Sequence, residues 1–92
     1  MGIEYTLRTT EFDRSAIQVE LLRLSGAGPP SELMGMIEYR RVESREETMP
    51  DAVAQVEANS IYFRDNGGCG RDFLGAVVAA LCAYGPVTVE EL

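Results

Sequence analysis

The chain contains no lysine, no histidine and no tryptophan, and all eight of its basic residues are arginine. Without histidine it cannot build a Ser-His-Asp or Cys-His relay or an imidazole metal site. Without lysine it has no Walker A lysine and cannot form a Schiff base with a substrate. General acid–base chemistry would therefore depend on carboxylates, tyrosine or the two thiols.

Cysteine is also scarce, with only Cys69 and Cys82 in the sequence. If both belong to one helix, their separation is about 20 Å, whereas a disulfide needs Cα atoms within about 7 Å. We therefore expect two free thiols and a reducing compartment, which indicates a cytoplasmic protein. Two cysteines are too few for a thiolate metal site, and we predict neither a metal nor a cofactor.

Long apolar runs are absent, and acidic residues outnumber basic ones. The longest apolar run, residues 73–84, spans 12 residues and is too short to cross a bilayer. Fifteen acids against eight bases give a net charge of -7. That charge argues against nucleic acid and anionic membranes as partners, and it favours a basic protein. Acidity also serves solubility, which is its more ordinary role.

The first half of the sequence predicts a strand, a helix and a second strand. Residues 3–7 alternate between apolar and polar side chains, as a half-buried strand does. Residues 14–24 are mostly helix formers, with Thr10 or Asp13 as a cap and Ser25-Gly26 as a stop. The alternation over residues 17–21 leaves a strand as the alternative. Residues 34–42 read as the second strand, or as a short helix that begins at Ser31.

The second half predicts two strands, a long helix and a short final strand. Residues 52–56 and 61–64 read as strands joined by a turn in which Asn59 takes a left-handed conformation. For residues 52–56 the alternative is a short helix that begins at residues 50–51. Residues 71–84 form the clearest helix, with Asp72 in its first turn and Gly85-Pro86 at its end. Residues 87–89, Val-Thr-Val, predict one more short strand.

This order of elements predicts a single α+β domain over residues 1–92. Two helices are expected to pack on one face of a mostly antiparallel sheet of three to five strands. The order β-α-β-β(-β)-α-β also leaves a ferredoxin-like arrangement open.

The final helix divides into a bulky face and a face of small residues. The bulky face should cover the sheet; it comprises Phe73, Leu74, Val77, Val78, Leu81 and Tyr84. The small face comprises Gly75, Ala76, Ala79, Ala80 and Ala83, with Cys82 at its edge as a packing residue. We expect the small face to pack against helix 14–24; the alternative is a homodimer contact through Gly75, Ala79 and Ala83.

A glycine-rich segment, residues 65–72, precedes this helix and supplies the candidate ligand-binding residues. These are Gly67, Gly68, Cys69, Gly70 and Arg71. Backbone N–H groups at a helix N-terminus suit an anion, and the positive end of the helix dipole stabilises a thiolate. The spacing matches neither G-x-G-x-x-G nor a Walker A motif, and no histidine or second nearby cysteine assists the thiol. A tight turn between strand and helix is the competing explanation.

A cluster of acidic residues precedes the third predicted strand. Its members are Glu43, Glu46, Glu47 and Asp51, with Arg45 among them. Four carboxylates suit a hard cation, but the spacing lacks the glycine and alternation of an EF-hand. We interpret the cluster as a solvated charged loop.

Together these features favour a small acidic cytoplasmic domain that binds another protein and does not catalyse a reaction. Immunity proteins, which neutralise toxins, share its size and charge, although no motif assigns it to that class. The first alternative is a thiol-dependent or anion-binding enzyme centred on Cys69 in the turn at Gly67–Gly70. The second is a structural homodimer through helix 71–84.

Overall fold

A computed structural model describes residues 2–28, 35–40 and 49–92, which form five strands, two α-helices and a 3-10 turn. In chain order these are β1 (Ile3–Thr9), α1 (Arg14–Leu22), β2 (Ile37–Tyr39), β3 (Ala52–Val56), β4 (Ile61–Asp65), α2 (Gly70–Leu81), the 3-10 turn (Cys82–Tyr84) and β5 (Val87–Glu91).

The strands form one antiparallel sheet in the order β2-β3-β4-β1-β5. Both helices pack on the same face, where the two helices also contact each other. The predicted two-layer α+β architecture is therefore confirmed. The ferredoxin-like order is not confirmed, because the sheet includes a fifth, short strand, β2, at one edge.

The core lies between this sheet face and the helices. Its fully buried side chains alternate along the strands, as a sheet covered on one face requires. They are Leu7, Ile37, Tyr39, Ala52, Ala54, Ile61 and Phe63 from the sheet, and Ile17, Leu21 and Val77 from the helices. The Tyr39 hydroxyl donates to the Leu21 carbonyl at 2.9 Å, which satisfies an acceptor near the end of α1.

Segment 14–24, for which a strand was the alternative, is helical from Arg14 to Leu22. The Asp13 side chain accepts a hydrogen bond from the Ala16 N–H at 3.1 Å and so caps α1. Ile17 and Leu21 are fully buried, whereas Val19 is 47% exposed. A helix puts residues four apart on one face and turns residue 19 outwards, whereas a strand would bury all three.

Several predicted boundaries shift. Helix α1 ends two residues before residue 24, and the strand predicted over 34–42 is confined to Ile37–Tyr39, with residues 34, 41 and 42 outside the described ranges. The strands predicted at 52–56 and 61–64 are confirmed. Asn59 does not adopt a left-handed conformation; the Glu57 N–H closes the turn by donating to the Ser60 carbonyl at 2.8 Å.

Helix α2 confirms the predicted final helix, but two expectations about its surface are wrong. The prediction that its small face packs against α1 fails for Gly75, Ala79 and Ala83, which are exposed, although Ala80 packs against the core. Cys82 is also exposed and begins the 3-10 turn, so it is not the packing residue that we expected. Gly75 and Ala79 therefore belong to a solvent-exposed side of α2.

Candidate functional site

The glycine-rich turn connects β4 to α2 and bends around the Asp65 carboxylate. The Gly67 N–H donates to Asp65 Oδ1 at 2.9 Å, and the Gly70 N–H donates to the Gly67 carbonyl at 2.9 Å. Gly67 and Gly68 have φ angles of 102° and 58°, a left-handed region that favours glycine. Two of the three glycines are therefore explained by the path of the backbone.

Gly70 serves a different purpose, because it lets the start of α2 approach the sheet closely. It is buried, and a Cβ atom on it would lie 2.7 Å from the Asp51 carbonyl oxygen and against the Asp65 carboxylate. Asp51 immediately precedes β3 and is 8% exposed. A side chain at position 70 would push α2 away from the ends of β3 and β4.

A second group of polar residues fixes the same end of the sheet from the other side. The Arg64 Nε donates to Asn66 Oδ1 at 2.7 Å, and the Asn66 Nδ2 donates to the Pro50 carbonyl at 3.0 Å. The Asn66 N–H donates to the Asp51 carbonyl at 2.9 Å. Arg64 is thus engaged with the turn that follows β4 and not with an open anion site.

The remaining candidate residues of the turn sit at the first turn of α2. Cys69 is the N-cap residue, is partly exposed, and makes no side-chain hydrogen bond that caps the helix. Arg71 and Asp72 are both exposed. An anion here would meet the Asp65 and Asp72 carboxylates as well as Arg71, so the charges around the turn partly oppose it. A role for Gly67, Gly68, Cys69, Gly70 and Arg71 in binding stays a prediction.

The acidic cluster cannot be assembled from the described residues. Glu43, Glu46 and Glu47 lie outside the described ranges, and Asp51 is buried beside the glycine-rich turn. Within the described ranges no group of three or more His, Cys, Asp or Glu residues is arranged to hold a metal ion.

The sheet face opposite the helices carries polar side chains, some of which contact one another. The Tyr62 hydroxyl donates to Glu4 Oε1 at 2.5 Å, and Arg8 and Glu90 form an ion pair at 3.9 Å. Burial raises the pKa of Tyr62, and its hydrogen bond with Glu4 raises that pKa further. Both contacts are exposed to solvent and the Tyr62 hydroxyl is uncharged, so Glu4 and Glu90 keep negative charge on this face.

The two edges of the sheet differ, a feature that sequence reasoning missed. On the β2 side, Ala27 forms an antiparallel bridge with Tyr39, and the Gly28 N–H donates to the Glu38 carbonyl at 2.9 Å. On the other side, β5 runs two residues further than the predicted strand 87–89 and ends at Glu91. Within the part of the chain that the structure describes, β5 pairs with β1 and with no other strand.

The alternation Val87-Thr88-Val89 signalled a strand but gave no sign of its place in the sheet, which depends on long-range pairing with β1.

Comparisons of the chain with protein-family models, with curated proteins and with solved structures found no match. Among the described residues no helix has the length and apolar character needed to span a bilayer.

Proposed function

We propose that this protein is a non-catalytic protein-binding module that acts in the cytoplasm and whose partner carries positive charge. The observation that carries the proposal is that backbone N–H groups of the glycine-rich turn are bonded to acceptors within the turn itself. The Asp65 carboxylate accepts the Gly67 N–H and the Gly67 carbonyl accepts the Gly70 N–H, so two backbone donors of the turn are already used and a carboxylate lies where an anion would approach. The most chemically suggestive segment of the chain therefore has a structural explanation, and this supports binding over catalysis.

The composition supports the same proposal. A chain with no histidine and no lysine lacks the side chains that most often transfer protons or form covalent intermediates near neutral pH. A net charge of -7 attracts a cationic partner and accelerates its association at low ionic strength. The two free thiols fit a reducing compartment. An inhibitor-like or immunity-like role is one form that such a module takes.

The test is to isolate a partner with tagged protein from the cells that make it, and then to rebuild the complex from purified components. We expect a complex of fixed stoichiometry whose Kd rises by about tenfold or more between about 50 and 500 mM salt, since screening weakens charge attraction. A complex insensitive to salt would refute the cationic partner. Failure to find any polypeptide that forms a stoichiometric complex would refute the proposal itself.

The enzyme alternative depends on Cys69 and can be tested inside the same molecule. Cys82 is the more exposed of the two thiols and serves as the internal control. If exposure governs the reaction, iodoacetamide modifies Cys82 first. Faster modification of the less exposed Cys69 would show an activated thiol and would favour the enzyme.

The homodimer alternative is favoured by the exposure of Gly75, Ala79 and Ala83 along α2. If this surface joins two copies, Ala79→Arg should convert a dimer into a monomer in sedimentation velocity, because a guanidinium would be forced into the contact. A wild-type protein that sediments as a monomer at high concentration would rule this alternative out.

A further inference from the structure

Among the strands that the structure describes, β5 differs from the opposite edge of the sheet in being longer and in having no strand paired with its outer side. The β2 edge is three residues long and is bridged by the chain itself at Ala27. Strand β5 has five residues, four of them exposed, and no described strand pairs with its outer side. An open strand edge is a ready template for another extended chain.

The pairing with β1 determines which backbone groups of β5 point outwards. The Leu92 N–H donates to the Glu4 carbonyl at 2.8 Å, so residues 92 and 4 form a hydrogen-bonded pair. Hydrogen-bonded and non-hydrogen-bonded pairs alternate along an antiparallel ladder. In the register of β1 and β5, residues 88 and 90 therefore bond to β1. The N–H and C=O groups of Val87, Val89 and Glu91 point away from the sheet.

The side chains along this edge combine an apolar position with two acids. Val89 lies opposite Leu7 on the helix-covered face and is 44% exposed. Glu91 lies opposite Tyr5 on that same face, and Glu90 lies opposite Thr6 on the other. An added strand would thus find Val89 and Glu91 on the helix-covered face. On the other face it would find Glu90, whose ion pair with Arg8 is long and exposed.

We propose that the β5 edge binds an extended basic segment of a partner protein by adding it to the sheet as a sixth strand. The inference rests on the proposed function and names its surface. In an antiparallel arrangement the segment carries basic residues opposite Glu91 and Glu90, and then an apolar residue opposite Val89. Oppositely charged and apolar cross-strand pairs each favour pairing. A second copy of the chain is disfavoured, because each copy carries a net charge of -7.

The probe is a synthetic heptapeptide with blocked ends and the pattern Thr-Arg-Arg-Val-Thr-Val-Thr, with glutamate in place of arginine in the matched control. We expect the arginine peptide to shift the amide resonances of Val87, Val89 and Glu91 saturably, and those of Thr88 and Glu90 less. A Kd on the order of 0.1 to 1 mM is typical of a short peptide that must become ordered on binding. The glutamate peptide should bind at least about tenfold more weakly.

Two variants test the backbone contact directly. Val89→Pro removes an N–H that β1 does not use, so the fold is kept while binding of the arginine peptide falls by about tenfold or more. Val89→Thr keeps the N–H and a β-branched side chain, and should bind within about threefold of the wild type. Equal binding by the proline and threonine variants would overturn the inference.

A charge reversal covers the case in which Val89→Pro does not fold. The double variant Glu90→Arg, Glu91→Arg should prefer the glutamate peptide, with the order of the two affinities exchanged. An unchanged preference would overturn the inference. So would peptide-induced shifts confined to the glycine-rich turn or to α2. Concentration-dependent shifts at β5 without peptide would overturn it in favour of a second copy.

The same variants separate this inference from the proposed function. If Val89→Pro loses the peptide and also loses the natural partner in the rebuilt complex, both are supported. If it loses the peptide but still binds the partner with wild-type affinity, the partner uses another surface and the inference is wrong while the proposed function stands. If the wild-type protein has no polypeptide partner, the proposed function itself fails.

Discussion

Replacing Gly70 or Gly75 by alanine adds the same methyl group to helix α2 at positions five residues apart, and we expect opposite effects on stability. A Cβ on Gly75 would meet nothing within 4 Å. The residue lies in the helix interior and is exposed, so alanine gains only its better helix propensity. That gain is about 0.8 to 1 kcal/mol in the free energy of unfolding.

At Gly70 the same methyl group has no space. Its Cβ would lie 2.7 Å from the Asp51 backbone carbonyl, and that atom cannot move without displacing the start of β3. Overpacking of this kind costs about 1 to 3 kcal/mol. The two variants should therefore differ by about 2 to 4 kcal/mol, or by roughly 10 °C or more in Tm for a domain of this size.

Urea unfolding measures the free energy of unfolding of both variants. Far-ultraviolet circular dichroism is the suitable signal, because the chain has no tryptophan for fluorescence. A Gly70→Ala variant as stable as the wild type would refute the close approach of α2 to Asp51. A destabilised Gly75→Ala variant would refute an exposed helical position. The control combines Asp65→Ser with Gly70→Ala and is compared with Asp65→Ser alone, because Asp65→Ser also changes the acceptor of the Gly67 N–H. In this comparison Gly70→Ala should cost less than in the wild type but still destabilise, because the contact with the Asp51 carbonyl remains.

Three further predictions concern named hydrogen bonds and charges. Asp13→Ala should lower the free energy of unfolding by about 1 kcal/mol in urea titrations, because it removes the cap of α1, whereas Asp13→Asn should stay within about 0.5 kcal/mol. Tyr39→Phe should cost about 0.5 to 1.5 kcal/mol near pH 7 through loss of the bond to Leu21. Burial raises the pKa of Tyr39 in the folded protein, so its contribution to stability is complete below pH about 10 and is lost at higher pH. Above that pH the free energy of unfolding of the wild type should fall more steeply than that of Tyr39→Phe, and parallel pH profiles of the two proteins would contradict this. Glu90→Gln should change the free energy of unfolding by less than about 0.5 kcal/mol, because its ion pair with Arg8 is exposed.

Local sequence patterns were sufficient for most of the fold. The alternation in β1 and the apolar face of α2 are properties of a few neighbouring residues, and both elements are present. Their ends differ from the prediction: β1 continues to Thr9, and α2 ends at Leu81 with residues 82–84 in a 3-10 turn. Helix α1 was ambiguous because its side chains fit both periods. Tertiary packing decides between them, since Ile17 and Leu21 are buried while Val19 is exposed.

The candidate site was harder to interpret because its explanation comes from distant residues. The need for glycine at position 70 arises from Asp51, which is remote in sequence and reaches the turn only through the pairing of β3 with β4. In the same way, Val87-Thr88-Val89 reveals a strand but not its open edge. Strand order depends on contacts between the two ends of the chain, which no short window of sequence contains.

The bridge between Ala27 and Tyr39 also limits how many molecules one sheet can join. Because the chain's own backbone pairs with the outer side of β2, β5 is the one edge of the described sheet that stays open, and through the described strands each copy has a valency of one. Pairing between two copies at β5 would use both open edges and stop there. Growth into a continuous fibre requires two open edges on every copy, so edge-to-edge assembly through the described strands ends at a closed pair.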